Sequence, residues 1–283
     1  MKTRNTAIRA VKPTSAGRRL ASFLRRDQLA KGKPARSLTT GHKRGIGRDN
    51  LGHVSTRHKG GGAKRRYRTI STLGQCGEGP FEVMQLEYDP FRSAYIALIK
   101  NKASRKFYIL APSELKKDKP LEYGTEAPIR SGNRLPIGKV PTGIEVHNIC
   151  VTPGSPAKMV RAAGTKAIVM AHEGGYTLVK LPSSELRKFD DRCEVSIGVI
   201  SNIAHNTIRI GKAGRQRHKG IRPTVRGKAM YPEAHPHGGG EGNTSIGMKA
   251  PKSPWGKRTM GVKTRRRSNL GNLIVRSRRK KRR

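Results

Sequence analysis

The stretch EVSIGVI, residues 194–200, alternates apolar side chains at Val195, Ile197 and Val199 with small or polar ones between them. A two-residue period of this kind belongs to a strand with one face turned into a core. Shorter apolar bursts recur upstream, at 81–88, 95–99, 107–110, 144–149, 167–170 and 176–181. Turn-forming runs lie between them, such as YDPFRS at 88–93, VTPGSP at 151–156 and HEGGY at 172–176. Many short strands joined through Gly and Pro point to a mainly β centre built as small barrels. Pro120, Pro128 and Pro136 cluster around APIRSGNRLPIG, a link between two such bodies. Helix is scarce: Leu20, Phe23 and Leu24 in GRRLASFLRR, residues 17–26, suggest one short turn.

Charge divides the chain more sharply than hydropathy does. The 283 residues carry 61 Lys and Arg against 18 Asp and Glu, a formal +43. Residues 1–68 hold +18 of it and residues 201–283 hold +21, leaving +4 for residues 69–200. A near-neutral centre thus lies between two cationic arms. Residues 29–66 and 211–283 are rich in Gly, Pro, Lys and Arg, with few bulky apolar groups to offset the entropy of ordering. The chain ends RSRRKKRR, a block of like charge that acquires structure only on a partner. Such an excess has two common partners, nucleic acid and an anionic membrane. No apolar run approaches the roughly 20 residues of a membrane span, and no secretory core opens the chain. Nucleic acid is the expected partner, and no membrane is. Cys76, Cys150 and Cys193 are scattered outside any CxxC pair, which argues for buried reduced thiols over disulfides or a thiolate zinc site.

Two basic segments carry the recognition chemistry. In STRHKGGGAKRRYR, residues 55–68, Gly60, Gly61 and Gly62 let backbone approach a phosphate, while Arg57, Lys59, Lys64, Arg65, Arg66 and Arg68 supply charge. His58 lies among them, and Tyr67 offers a ring for stacking on an unpaired base. In GRQRHKGIRPTVRGKAM, residues 214–230, Arg215, Arg217, Lys219, Arg222, Arg226 and Lys228 recur every two to four residues. Pro223 and the glycines forbid a long helix there, so the segment should thread. Guanidinium groups suit bidentate contacts to phosphate and guanine.

HPHGGGEG, residues 235–242, admits three readings. As a metal site it offers His235 and His237 without cysteine or HExxH spacing. As an acid/base site it adds Glu241 but no partnered nucleophile. The third reading is a tight turn at Gly238, Gly239 and Gly240 whose imidazoles meet RNA, and the spacing favours it. The following GNTSIGMK misses a phosphate loop, because Met248 stands where the lysine is needed.

Taken in order, these segments resemble the family of the universal large-subunit ribosomal protein two, of bacterial or organellar type. The resemblance is carried by KPTSAGRR (12–19), TRHKGGGAKRRYR (56–68), LEYDPFRSAYIALI (86–99), YILAP (108–112) and RAAGT (161–165). It continues through GKAGRQRHKGIRPTVRGKAM (211–230), HPHGGGEG and SPWGKRTMGVKTR (253–265). It implies an OB-like barrel followed by an SH3-like barrel, with long extended basic arms. Combined with the charge distribution, the expected layout is an N-terminal extension over 1–68, an OB-like barrel over 69–127, an SH3-like barrel over 128–200 and an RNA-penetrating segment over 201–283. Arg92, Arg258, Lys263 and Arg265 join the candidate RNA-binding residues through the same motifs.

The resemblance further implies binding to large-subunit ribosomal RNA and an intersubunit bridge to small-subunit RNA. It also implies neighbouring ribosomal proteins and a place near the peptidyl transferase centre, with no cofactor, no metal ligands and no catalytic residue. His235 would be structural and electrostatic, since RNA makes the peptide bond. The expected location is the ribosome, in a bacterial-type cytoplasm or an organellar matrix or stroma. The family usually reads MNPxDHPHGGGEGR around the loop, and the chain departs from it at Tyr231, Ala234 and Asn243, and again at Ser184 in LPSSE, where many relatives have glycine.

Overall fold

The structure is a computed structural model that describes residues 7–77, 79–115, 120–241, 243–262 and 272–278. Its elements are mainly β. Near the N-terminus β1 (Ile8–Ala10) pairs antiparallel with β2 (Ser22–Leu24), and α1 (Ala16–Arg19) forms a single turn between them. Phe23 and Leu24 therefore lie in a strand, and the helical turn falls earlier than the sequence suggests. The reason is a long-range pairing: the Ser22 N–H donates to the Arg209 carbonyl at 3.0 Å, and the Arg209 N–H donates to Ser22 Oγ at 2.9 Å. Next, β3 (Thr39–Gly41) pairs with β4 (Arg66–Arg68).

The OB-like body follows. β5 (Glu82–Glu87), β6 (Ile96–Lys100) and β7 (Lys106–Leu110) form an antiparallel meander. Its core holds Leu73, Phe81, Val83, Ala97, Ile99, Ile109 and Leu121. Full burial of each large apolar side chain contributes about 1.5–3 kcal/mol. The opposite face of the meander is closed by the upstream segment: the Ala35 N–H donates to Tyr108 Oη at 2.9 Å, and that hydroxyl donates to Glu87 Oε2 at 2.8 Å. Burial pushes the Tyr108 phenol up to about 12, so it stays a donor to the carboxylate.

The SH3-like body uses β8 (Arg134–Pro136), β9 (Glu145–His147), β10 (Ile149–Cys150), β11 (Ala157–Met159), β12 (Ala167–Glu173), β13 (Tyr176–Lys180), β14 (Leu186–Asp190) and β15 (Glu194–Ile197). β10 and β11 pair with each other. A seven-stranded sheet runs β14-β13-β12-β9-β15-β8 and takes its outer strand, β16 (Ile274–Arg276), from the far end of the chain. β16 lies against the free side of β14, with Leu186 opposite Arg276. The short apolar run Leu273–Val275 gave too little periodicity to announce it.

EVSIGVI behaves as a strand only over its first half. Val195 and Ile197 enter the core with Val146, Ile149, Val169, Val179 and Phe189. Gly198, at φ +99°, then turns the chain, so Val199 is half-buried and Ile200 takes the buried place the alternation assigned to its neighbour. Ile200 is 0% exposed among Ala94, Leu110 and Ala163, which is where the two β bodies meet. There the Ser113 N–H donates to the Val199 carbonyl and the Ser201 N–H to the Ala111 carbonyl. Ser196 is buried too, against the alternation, because it faces Arg134. That guanidinium is 0% exposed and donates to Glu194 Oε2 (2.9 Å), the Asn148 carbonyl (3.0 Å), Ser196 Oγ (3.3 Å) and Cys150 Sγ (2.9 Å). A buried cation is tolerated when its donors are matched in this way. All three cysteines are free and buried, and desolvation raises each thiol.

By contact density the chain separates into two units. One comprises 7–43, 64–212 and 272–278; the other comprises 44–63 and 213–262, within the described residues. The cut at 63/64 falls inside the TRHKGGGAKRRYR motif.

Candidate nucleic-acid interface

The second unit brings the two basic motifs together. α2 (Ala213–His218) is stopped by Gly220, whose φ of +87° is a left-handed helix end, and the chain beyond it is extended. That extended backbone pairs with the glycine run. The Gly60 N–H donates to the Gly220 carbonyl (3.0 Å), the Ala63 N–H to His218 (2.9 Å) and the Arg222 N–H to His58 (3.0 Å). Lys59 and Ile221 form an isolated antiparallel bridge, and His58 Nδ1 lies 3.0 Å from the Pro223 carbonyl. Gly62, at φ +90°, is required here: a β-carbon on it would sit 2.9 Å from the Gly220 nitrogen. Two segments about 160 residues apart thus make one two-stranded ribbon with its side chains turned outward.

Arg57, Lys59, Lys219, Arg222 and Arg226 are exposed on this unit, as are Gly61 and Arg258; Arg215, Arg217 and Lys228 are half-buried, as is His58. Across 44–63 and 213–262 stand fourteen Lys and Arg against three Asp and Glu. Among the described residues of this unit only His235 is buried. Backbone hydrogen bonds and glycine geometry hold it where an apolar core would otherwise do so.

The remaining motif residues lie on the first unit. Lys64, Arg65 and Arg66 are exposed at the start of β4. Tyr67 packs edge-on against Phe91 at 5.5 Å, and the Arg65 guanidinium covers Phe91 at 4.4 Å. Arg68 Nη1 donates to the Arg66 carbonyl. Arg92 forms an ion pair with the buried Asp89 and donates to Tyr67 Oη at 3.1 Å, so it fixes the tyrosine from behind. Lys263 and Arg265 lie outside the described residues.

The HPHGGGEG loop closes on itself. His235 is 7% exposed, with its ring 4.6 Å from that of His237. His235 Nδ1 accepts the His237 N–H at 3.0 Å, and His237 Nε2 accepts the Lys252 N–H at 2.8 Å. A ring nitrogen that accepts from a backbone amide cannot be protonated, so both imidazoles are neutral in this arrangement. Burial lowers the His235 pKa, and the neighbouring Arg57 cation lowers it further. Gly227 lies flat against the His235 ring, where any β-carbon would collide. The Gly238 N–H donates to the His235 carbonyl and the Gly239 N–H to Met230, while Gly240 is exposed. The loop is therefore a knob whose imidazoles accept backbone amides, His235 from within the loop and His237 from Lys252. Among the described residues no group of three or more His, Cys, Asp or Glu is placed to hold a metal ion. No described helix is long and apolar enough to cross a membrane.

The sequence reading passed over Trp255, which stands exposed within SPWGKRTMGVKTR with Arg57 over its ring at 5.6 Å. It also passed over the turn at 47–56, where Asp49 Oδ1 accepts the Leu51 and His53 N–H groups and Arg48 pairs with Val54. A lone tryptophan in a segment this poor in aromatics was the available signal for the first; the second carries none.

Comparison with known protein families gives two adjacent matches that together span about three quarters of the chain. Residues 35–121 match the family described as Ribosomal Proteins L2, RNA binding N-terminal domain. Residues 130–256 match Ribosomal Proteins L2, C-terminal domain.

Proposed function

Because this chain belongs to the ribosomal protein L2 family, we propose that it holds large-subunit ribosomal RNA in its cationic loops and supports both subunit association and the surroundings of the peptidyl transferase centre. The protein is a ribosomal component with an RNA-binding domain, a part of the translation machinery and not an enzyme. Its OB-like and SH3-like bodies suit the family's two domains.

One observation carries the reading: nearly all of the +43 sits outside residues 69–200, where the described residues include very few that are buried. We assign 69–127 and 128–200 to the two barrels that fold first and dock on the RNA surface. The segments 1–68 and 201–283 supply most RNA contacts, ordering as their bases displace counterions. Each neutralised phosphate on a duplex contributes about −0.9 to the slope of log affinity against log salt. RNA shape and unpaired bases are read in preference to the deep A-form major groove, which is too narrow for side chains. The partners are then large-subunit RNA, small-subunit RNA at a bridge, and neighbouring ribosomal proteins, in a bacterial-type cytoplasm or an organelle.

Sedimentation tests this directly. The protein in a cell lysate should travel with large ribosomal particles and resist a high-salt wash, because folded RNA encloses its loops. Release from intact particles at moderate salt would overturn the assignment.

A further inference from the structure

A groove of about 910 Å3 opens on the second unit, lined by Ile46, Arg48, Val54, Thr56, Arg57, His58, Lys59, Arg222 and Trp255. Its volume lies in the range of small-molecule sites. Ile46, Val54 and Trp255 are 50%, 57% and 77% exposed, an apolar floor left open on one of the most strongly cationic parts of the molecule. Arg57, Lys59 and Arg222 bring three positive charges to its wall, and no acidic residue lines it. Its walls are held in place. The Ser55 and Thr56 N–H groups donate to the Gly47 carbonyl, Arg48 Nη1 donates to the Gly52 carbonyl at 2.6 Å, and the Arg222 stem lies across Gly60. His58 is held as well, with Nδ1 3.0 Å from the Pro223 carbonyl.

We infer that this groove receives one unpaired nucleotide of RNA, its base stacked on the Trp255 indole and its phosphates against Arg57, Lys59 and Arg222. A flat aromatic face ringed by cations matches a nucleobase with its attached phosphates, and every base offers such a face. An apolar peptide segment would leave the cations unmatched, and a duplex keeps its bases stacked away from the indole. The inference rests on the RNA-binding reading above and deepens it, from charge that follows a backbone to one position that takes a splayed base.

Trp255 is the only tryptophan in the chain, so its fluorescence reports this site alone. The full-length protein is titrated with a short single-stranded oligoadenylate and, separately, with a blunt RNA duplex of equal length, while anisotropy of the labelled RNA records binding independently. The single strand should quench the emission strongly and the duplex should bind with the emission nearly unchanged. Trp255→Ala should weaken single-strand binding by about 5- to 100-fold, with Trp255→Phe recovering most of the loss. The indole is exposed, so neither variant threatens the fold. Single-strand binding with unquenched emission, or equal affinity for Trp255→Ala and the parent, would overturn the groove assignment while leaving general RNA binding intact. Failure of every RNA to bind would remove both.

Discussion

The β bodies and the cationic unit solve the problem of holding a shape by opposite means. In the former, Phe81, Ile99, Val146, Phe189 and Ile200 are sealed from water, and even the charged Arg134 is enclosed with its acceptors. In the latter a single residue, His235, is buried among those described, and order comes from carbonyl-to-amide bonds such as Gly60 to Gly220. A core makes a body independent of its surroundings. A ribbon without one leaves its side chains for something else to order, and here the charged ones are mostly cations. Stability and recognition are thereby assigned to different stretches of one chain.

Variants can break or sharpen that division. The largest expected effect is at Arg134. Arg134→Ala leaves a cavity in place of a fully buried side chain, removes the donor to the Asn148 carbonyl and leaves Glu194 with its Tyr123 hydrogen bond. It should destabilise the β bodies by about 3–5 kcal/mol in denaturant titration. A negligible change would mean that the guanidinium network adds nothing to the core.

A pH scan should also touch the β bodies. Burial holds the His147 pKa near 4 against an ordinary 6.5. The unfolded chain binds the proton first, so this contribution is complete above pH 6.5 and is lost as pH falls towards 4. It amounts to about 3 kcal/mol. His147→Gln should flatten that part of the thermal-stability profile, and an unaltered profile would place the acid sensitivity elsewhere.

In the cationic unit the readout changes. Arg222→Glu with Arg226→Glu should leave the melting transition in place while making the salt dependence of RNA affinity shallower by about 1.5 to 2 in slope. The same variant should deplete assembled large particles in sucrose gradients. A lowered melting temperature would show that these arginines hold the fold.

The smallest effect is expected at the knob. His235→Asn with His237→Asn exchanges hydrogen bonds worth about 1 kcal/mol each, so assembly should weaken while peptide transfer in assembled particles keeps its pH profile. A shifted profile with a large loss in rate would restore an acid/base role to the pair.

Much of this was legible in the residues. Short apolar bursts such as 176–181 named the strands, and the placement of Lys and Arg named the cationic segments, because both signals are local. What stayed hidden depends on pairing across the chain. Nothing near His58 says that its carbonyl meets Arg222, and nothing near Ser22 announces Arg209. Gly198 was visible as a residue but not as the bend that exchanges Val199 for Ile200, since a glycine in a strand pattern fits a straight run equally well. Arg92 entered as an RNA-binding candidate through its motif, and its ion pair stayed hidden because the partner, Asp89, looked like a turn former within YDPFRS. Tyr67 promised an open ring, and its packing against Phe91 needed three-dimensional coordinates.

The outer strand β16 has a consequence for how the molecule comes into being. Synthesis delivers β14 well before residues 274–276, and at ordinary elongation rates the interval is roughly 4 to 17 s. For that time the nascent sheet has one unpaired margin, the kind of edge that invites adhesion to a stranger's strand. Only residues 274–276 supply its cover. A product truncated just before them would therefore carry self-association as its hazard, even with both basic motifs and the glycine loop already made.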